Sequence, residues 1–472
     1  MVPPMRPVLL LDLVGLTPRQ VTAEETPSLH ALGRRGSMAP MQSILPAVTC
    51  SAQATMLTGT MPTDHGAVGN GWRDPKSFEV ALWRQSNRLV QGEKIYEAAK
   101  RRDPSFTCAK LFWWWNMGAD VDLSITPRPY YPADGRKIPA IYAWPPEFGV
   151  ETEGALGAFP FFDFWGPKAG LPSSRWIADA AIRTLEKHKP SLTMAYLPHL
   201  DYDHQRFGPR HPKSIQALRD LDGIVGDLVA AADRAGAATI AVSEYGIREV
   251  SRPVKINVCL RQAGLLHARS TPNGDVLDPF GSRAFALVDH QLAHVYCKTP
   301  GDAAAAREAL EKLDGVGSVM TDEEKRDAGL DHENAGDLIV LSEPDAWFTY
   351  VYWTDPSSEP DFARTVDIHR KPGYDPLEMF LDPELKLPML RVARRVAQKK
   401  LGFRYLMDVI PLDPSLVKGS HGLVPEDPTD GPIWLSSEPF RAGSEPGSGP
   451  GADGTIPMTS VKERVLDALF GD

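Results

Sequence analysis

The chain has 472 residues, 42% of them hydrophobic and 24% charged, with a formal net charge of −10 at pH 7. This composition is ordinary for a globular protein, so it excludes a largely disordered chain. The acidic balance disfavours a nucleic-acid polymer as partner, and a small anionic substrate would need a local positive charge such as a metal ion.

Four cysteines, Cys50, Cys108, Cys259 and Cys297, lie far apart without a CxxC pair. Their spacing argues against a disulfide framework or a structural zinc site and fits a reducing compartment. No signal-peptide pattern opens the sequence, and no stretch reaches the ~20 apolar residues of a membrane span. We therefore expect a cytoplasmic protein without a membrane span, and we leave its oligomeric state open.

Two early segments carry candidate chemistry. The apolar run 8–16 reads as a buried parallel strand with Asp12 near its C-terminal end, the edge where open α/β sheets bind ligands. The segment 45–59 turns from an extended, proline-containing run into a helix at Thr49. A threonine at a helix start lies beside free N–H groups that can hold an anion, although it can also be a simple N-cap.

The middle of the chain alternates helices and strands. We expect helices at 92–102, 175–188 and 213–235, and strands at 107–112, 192–197 and 238–243. A loop at 198–209 follows the second of these strands. Such alternation, with acids just after apolar strands, predicts a doubly wound α/β fold with a mostly parallel sheet flanked by helices.

The expected domain comprises residues 1–425 plus 456–472, with two additions. Residues of about 117–170, rich in Pro, Gly and aromatics, are predicted to form an inserted cap. A smaller α+β lobe is predicted at about 282–410, where strands near 284–289, 294–298 and 337–342 accompany a helix at 302–313. The Gly/Pro/Ser-rich stretch 442–455 reads as a flexible loop.

Three strand ends carry acids, at Asp12, Asp201 and Glu244, and a glycine-flanked histidine, His421, follows late in the chain. If these ends converge, the crowded carboxylates need a neutralising cation, so a metal site is predicted. Carboxylate, imidazole and hydroxyl ligands suit zinc, manganese or iron. Isolated acids at strand ends can equally be caps or ion pairs.

The motifs as a whole resemble the type I phosphodiesterase/nucleotide pyrophosphatase branch of the alkaline phosphatase superfamily. The resemblance spans about residues 8–424, loosely between 250 and 410. The residues that carry it are Leu11-Asp12, Pro46-Ala47-Val48-Thr49, Thr58-Gly59-x-x-Pro62-x-x-His65-Gly66-x-x-x-Asn70, Asp201 with Gly208-Pro209, Ser243-x-x-Gly246 and Gly419-Ser420-His421-Gly422.

The resemblance implies an alkaline phosphatase-like fold with two metal ions that clamp a phosphoryl group for in-line displacement. Thr49 would be the nucleophile that forms a covalent phosphothreonine, and Asn70 would hold a non-bridging oxygen. By position, one metal site would comprise Asp12, Thr49, Glu244 and Tyr245, and the other Asp201 and His421. The run Trp114, Trp115 and Asn116 would line the substrate pocket, although core packing is an equal alternative for the tryptophans.

The chain departs from the family pattern at two imidazole positions. Glu244-Tyr245 replaces Asp-His, and Gln205 stands where a histidine is expected four residues after Asp201. A phenolate would favour a harder or more oxidised metal such as iron or manganese. Possible substitute ligands or substrate contacts are His204, His290, Asp367 and His369, the last two alternatively a solvated charged turn.

The favoured interpretation is a metal-dependent hydrolase of phosphodiester, pyrophosphate or related phosphoryl bonds in a small substrate. A non-hydrolytic relative that binds a phosphorylated metabolite is the alternative from another class, and a phosphotransferase remains open. A sulfatase is disfavoured because the run after Thr49 lacks Cys-x-Pro-x-Arg. A P-loop is excluded because Gly-x-x-x-x-Gly-Lys-Ser/Thr is absent.

Overall fold

The computed structural model describes residues 5–133, 136–403, 405–440 and 450–471. The strands in these ranges are β1 Val8–Leu13, β2 Ser37–Gln42, β3 Gly71–Arg73, β4 Val80–Leu82, β5 Cys108–Leu111, β6 Leu123–Pro127, β7 Ile141–Trp144, β8 Leu192–Leu197, β9 Ala238–Val242, β10 Arg248–Glu249, β11 Arg252–Val254, β12 Ala268–Thr271, β13 Gly274–Leu277, β14 Ala284–Asp289, β15 Leu292–Cys297, β16 Val316–Val319, β17 Leu338–Ser342, β18 Ala346–Phe348, β19 Gly419–Ser420, β20 Ile433–Ser436 and β21 Ile456–Pro457. The helices are α1 Pro27–Arg35, α2 Thr49–Thr58, α3 Pro62–His65, α4 Ile95–Arg102, α5 Pro146–Leu156, α6 Leu171–Lys187, α7 His199–Phe207, α8 Pro212–Arg234, α9 Ile256–Gln262, α10 Pro300–Leu310, α11 Asp322–Asp327, α12 Pro388–Lys400 and α13 Val461–Phe470.

A nine-stranded sheet in the order β21-β2-β20-β9-β1-β8-β5-β6-β7 forms the centre of the molecule. Its inner strands β9, β1, β8, β5 and β6 are all parallel, whereas β20 and β7 run antiparallel to their neighbours. Strand β1 is buried along its whole length because it lies between two other inner strands. The arrangement confirms the predicted α/β class with a mostly parallel sheet.

The helices form two groups, as expected for a doubly wound sheet. In one group α8 packs against α1 and α6, and in the other α13 packs against α2 and α4. Each helix of these two groups buries apolar residues; in α8 they include Leu218, Leu221, Val225 and Leu228. Helix α2 differs because all ten of its residues are buried.

The two predicted additions have distinct places in the structure. Within 117–170, β6 and β7 extend the edge of the main sheet and α5 packs on β7. Within 282–410, four strands form an antiparallel sheet in the order β14-β15-β17-β16, against which α10 packs. That these two additions form a separate cap and a separate lobe remains a prediction. Of the predicted loop 442–455, residues 442–449 lie outside the described residues.

One predicted loop is wrong. Residues 198–209 were expected to be irregular, but His199–Phe207 forms α7. Pro198 precedes this helix, Asp201 lies in its first turn at the positive end of the dipole, and Gly208 ends it with φ of 85°. The histidines and acids of α7 mask its helical pattern in the sequence. In the described ranges, no helix is both long and apolar enough to cross a membrane.

Candidate active site

The predicted strand ends do converge. Asp12 lies at the end of β1, Glu244 and Tyr245 follow the adjacent strand β9, and Asp201 lies in the first turn of α7 after β8. Thr49 is the first residue of α2, a helix that begins directly after the extended residue Val48. The side chains come together because the inner parallel strands end at one edge of the sheet.

Hydrogen bonds connect these residues through Thr49. Thr49 Oγ1 donates to Glu244 Oε2 at 2.8 Å and lies 3.2 Å from Tyr245 Oη. Tyr245 Oη donates to Asp201 Oδ1 across 3.4 Å. Burial raises the pKa of Asp12 and Glu244, and it raises the pKa of Asp201 to about 6. The group is therefore a buried set of oxygen atoms whose ionisation depends on nearby positive charge or N–H donors.

Gln53, which sequence reasoning missed, supplies such donors. Its Nε2 donates to Asp12 Oδ2 at 3.0 Å and to Glu244 Oε1 at 2.7 Å. Its Oε1 accepts the Trp114 backbone N–H at 2.6 Å, which fixes the orientation of the amide. Gln53 follows Thr49 by four residues in a helix, so the i,i+4 spacing was the available signal that both face the same side.

Replacing Gln53 with leucine should destabilise the metal-free protein by about 1–3 kcal/mol, because two buried carboxylates lose their shared donor. The Gln53 hydrogen bonds lower the pKa of Asp12 and Glu244, so their loss raises both values further. The loss in the free energy of unfolding should therefore be largest at pH 8 and shrink towards pH 5, where the carboxylates bind protons. Urea denaturation after chelator treatment measures this loss at each pH.

Gln291→Leu is the matched control, because Gln291 is also buried and its Nε2 donates to the backbone carbonyls of Pro344 and Ala346, at 3.1 and 2.8 Å, and not to a carboxylate. We expect a loss of about 1–3 kcal/mol there as well, but without that pH dependence. Equal stability of wild type and Gln53→Leu at pH 8 would contradict the role of the amide as the shared hydrogen-bond donor of the two carboxylates.

The state of His421 tests whether these residues fit a metal ion. Its Nδ1 donates to the Ala47 carbonyl oxygen at 2.7 Å, so a neutral ring carries its lone pair on Nε2. Burial lowers the pKa of His421 to about 3, which keeps the ring neutral. Nε2 is buried without a hydrogen-bond partner in the described residues and faces Asp201 Oδ1 at 3.9 Å. Two electron-pair donors that face each other in this way fit a cation.

Hydroxyl ligands would have to complete such a site. Within the described part of the chain, no three His, Cys, Asp or Glu side chains form a group that could hold a metal by themselves. The Thr49 hydroxyl contacts Glu244, and the Tyr245 hydroxyl contacts Asp201. At the other predicted position Asp12 Oδ1 lacks a partner, but the Gln53 amide already donates to both acids. The donor set therefore fits a metal better at Asp201 and His421 than at Asp12.

Four aromatic rings stack beside this group. His421 lies flat on Tyr245 with ring centroids 3.6 Å apart, and on its other face it contacts His290, also at 3.6 Å. His290 in turn stacks on Tyr374 at 3.8 Å. His290, a candidate from the sequence, thus lies in the site, whereas Tyr374 was not foreseen.

Asn70 is held in place by two elements. Its Oδ1 accepts the Cys50 N–H at 3.0 Å, which ties it to the first turn of α2. Its backbone N–H and Nδ2 both donate to the Asp289 carboxylate, at 2.7 and 2.9 Å. Asp289, at the end of β14, is a further residue that sequence reasoning missed. It joins the four-stranded sheet to the loop that positions Asn70.

The remaining sequence candidates lie around the group. Trp115 is buried and donates to the Cys50 carbonyl, and Asn116 donates to the carbonyls of Lys110 and Ile125, so both support the core. Trp114 packs on Trp83 with ring centroids 5.3 Å apart.

His204 is buried with both ring nitrogens unpaired among the described residues. Asp367 forms a local ion pair with Arg370 at 3.2 Å and accepts the His369 N–H. His369 and Asp367 therefore belong to a charged turn and not to the Asp201–His421 group.

Comparison with known proteins decides the family. The model of the type I phosphodiesterase/nucleotide pyrophosphatase family matches residues 8–375. The chain belongs to this family. A phosphodiesterase of this type is a phosphoryl hydrolase, and members of the superfamily generally depend on divalent metal ions. The family membership confirms the predicted resemblance.

Relatives of this phosphodiesterase family member agree with that assignment. An uncharacterized pyrophosphatase/phosphodiesterase of Schizosaccharomyces pombe is 24% identical over 227 residues, 47% of this chain and 40% of the relative, so the chain spans less than half of that protein. Phosphonoacetate hydrolase from Sinorhizobium meliloti 1021, in complex with phosphonoformate, has a similar fold, with a TM-score of 0.59, 14% identity and coverage of 99% and 96% of the two chains. Murine ectonucleotide pyrophosphatase/phosphodiesterase 5, an inactive variant in complex with AMP, gives a TM-score of 0.57, 15% identity and coverage of 98% and 95%.

Proposed function

We propose that this family member hydrolyses a phosphodiester or pyrophosphate bond of a small phosphorylated substrate through a covalent phosphothreonine on Thr49. One observation carries the proposal: Thr49 Oγ1 lies at the start of a buried helix and donates to Glu244 Oε2 at 2.8 Å. A helix N-terminus attracts the phosphoryl oxygens, while the carboxylate accepts the hydroxyl proton. The inactive threonine-to-alanine relative in complex with AMP supports a threonine in this role.

The reaction proceeds in two displacements. Thr49 Oγ1 attacks phosphorus as its proton moves to Glu244 Oε2, the bond from phosphorus to the leaving oxygen breaks, and that oxygen takes up a proton from solvent. Water then attacks the phosphothreonine and releases one proton to solvent, the Oγ1–P bond breaks, and Oγ1 regains its proton from Glu244. Asn70, fixed by Asp289 and the Cys50 N–H, stands beside the helix start to orient a non-bridging oxygen.

The residues that would hold a metal ion are Asp201 and His421, with the Thr49 and Tyr245 hydroxyls beside them. The Asp12–Glu244 position suits an ion less well, because the Gln53 amide already donates to both acids. A bound divalent ion, with zinc, manganese and iron as the candidates, supplies positive charge that lowers the Thr49 hydroxyl pKa and offsets charge on the phosphoryl group. Tyr245 Oη, between Thr49 Oγ1 and Asp201 Oδ1, keeps these oxygens aligned.

An aromatic wall next to the group suits a planar substituent that remains on phosphorus. Trp83 packs on both Trp114 and Tyr374, with centroid distances of 5.3 and 6.2 Å, and Trp165 contacts Tyr374 at 5.6 Å. Trp83 and Trp165 are only half-buried, so their faces remain accessible. Nucleobases and aryl groups bind to such surfaces by stacking.

Turnover of paired substrates tests the proposal. The purified protein, supplied separately with manganese, iron and zinc, should hydrolyse bis(4-nitrophenyl) phosphate at least about tenfold faster than 4-nitrophenyl phosphate, because the wall binds a second aryl group. Chelator should abolish both activities. Absence of turnover on either substrate with every metal would favour a non-hydrolytic binding protein, and a monoester preference would contradict the diesterase assignment.

A further inference from the structure

Helix α12, Pro388–Lys400, points its apolar side away from the protein. In the described ranges none of its residues is buried. Arg391 and Arg395 turn inward and bind Asp408, with Arg395 Nε 2.9 Å from Asp408 Oδ1. Val392 packs on a small apolar cluster that includes Val409. Two arginines and one valine therefore hold the helix on the protein. An ordinary surface helix instead packs its apolar side inward and exposes its charged side chains.

The outward side presents large apolar side chains in one continuous segment. Met389 is 69% exposed and Leu390 63%. The flanking residues continue the patch, because Leu387, Leu401 and Phe403 are each more than 60% exposed. Single exposed apolar residues are normal, but a contiguous group on one helix marks a surface that something else covers. We call residues 385–403 the apolar–basic segment.

Positive charge borders these apolar side chains. The apolar–basic segment contains six Lys or Arg residues and no Asp or Glu, in a chain whose net charge is −10. At 100° per residue, Arg394 and Lys400 lie on the same side of the helix as Met389, Leu390 and Leu401. Long basic side chains can extend their charged ends to phosphate groups while their stems cover apolar surface.

We propose that the apolar–basic segment binds the surface of an anionic lipid bilayer. A basic helix with exposed Leu, Met and Phe lies in the plane of the membrane interface, its apolar side among the acyl chains and its basic residues at the headgroups. The helix measures about 20 Å and cannot span a membrane. A second copy of the chain fits poorly, because packing two such faces together would bring two basic surfaces close to each other.

Vesicle flotation with the full chain tests the proposal. Wild type should float with phosphatidylcholine vesicles containing 40% phosphatidylglycerol at 50 mM salt, at least about tenfold more strongly than with phosphatidylcholine alone. Arg394→Glu with Lys400→Glu should lower binding at least about tenfold. Met389→Asp with Leu390→Asp should lower it as strongly. Both double variants should retain wild-type turnover of a soluble diester, because these residues are exposed and lie outside the proposed active site.

Matched controls keep the test specific. Val150→Asp changes a residue of α5 that is 74% exposed, and Lys312→Glu reverses an exposed charge on another part of the surface. Both should bind vesicles like wild type. Absence of flotation, flotation that persists after the two apolar substitutions, or a wild-type dimer that these substitutions dissociate would each overturn the proposal, the last in favour of an interface between two copies.

Discussion

Replacing Thr49 with alanine is expected to lower kcat/KM for bis(4-nitrophenyl) phosphate by at least about three orders of magnitude, the scale seen when a covalent nucleophile is lost. The variant keeps the helix start and removes the one hydroxyl that donates to Glu244. Steady-state kinetics with each metal supplied in excess measures the loss. Thr49→Ser, which retains a hydroxyl, should recover part of the activity.

Ser51→Ala is the matched control, because Ser51 is buried two residues further along the same helix and has no assigned role. Its kcat/KM should remain within about threefold of wild type, because Ser51 Oγ has no hydrogen-bond partner among the described residues and its removal breaks no such contact. Mass spectrometry of acid-quenched wild type should find phosphate on Thr49. If the alanine variant kept a tenth of the activity, water and not Thr49 would be the attacking group.

The second large effect concerns stability and centres on Lys371. Lys371 is buried and lies 2.6 Å from Asp375 Oδ2 and 2.8 Å from Glu378 Oε1. Burial raises the pKa of Glu378, and the ammonium group opposes that rise. Lys371→Met should therefore lower the free energy of unfolding by about 3–5 kcal/mol, because two carboxylates remain buried without their cation.

Urea denaturation at pH 7 measures this change, and the loss of stability should shrink at pH 5 as the Glu378 carboxylate binds a proton. Lys312→Met is the control, since its ion pair with Glu308 is exposed and screened by water, so the free energy of unfolding should stay nearly unchanged. Adding Asp375→Asn and Glu378→Gln to Lys371→Met should restore part of the stability. A loss no larger than that of the control would mean that the buried charges are neutralised in another way.

Local sequence was sufficient to predict the elements that carry Thr49 and Asp12. A proline-containing extended run before a helix former located the start of α2, and a continuous apolar run identified β1 as a buried strand. The convergence of Asp12, Asp201 and Glu244 remained conditional in the sequence, because it depends on the strand order β9-β1-β8, which places the three strand ends side by side. Helix α7 escaped prediction because its polar residues hide the helical pattern.

The rest of the site depends on contacts between distant segments. Tyr374 meets Gln205 and His290 only because the segment after residue 365 folds back onto the site, a pairing that no local pattern encodes. Asp289 reaches Asn70 from the end of a strand in a different sheet. The spacing of Gln53 from Thr49 could have indicated that both face the site. The role of Gln53 as a donor to the acids, however, depends on where Glu244 and the Trp114 backbone N–H lie.

The ring stack of Tyr245, His421, His290 and Tyr374 restricts the motion of His421. Both inner rings, His421 and His290, are sandwiched between two others at centroid distances of 3.6 to 3.8 Å, so neither imidazole can rotate unless its neighbours move apart. Together with the hydrogen bond from Nδ1 to Ala47, the stack keeps His421 Nε2 directed towards Asp201 Oδ1, 3.9 Å away. A side chain that is immobilised before binding loses little conformational entropy when it takes up an ion.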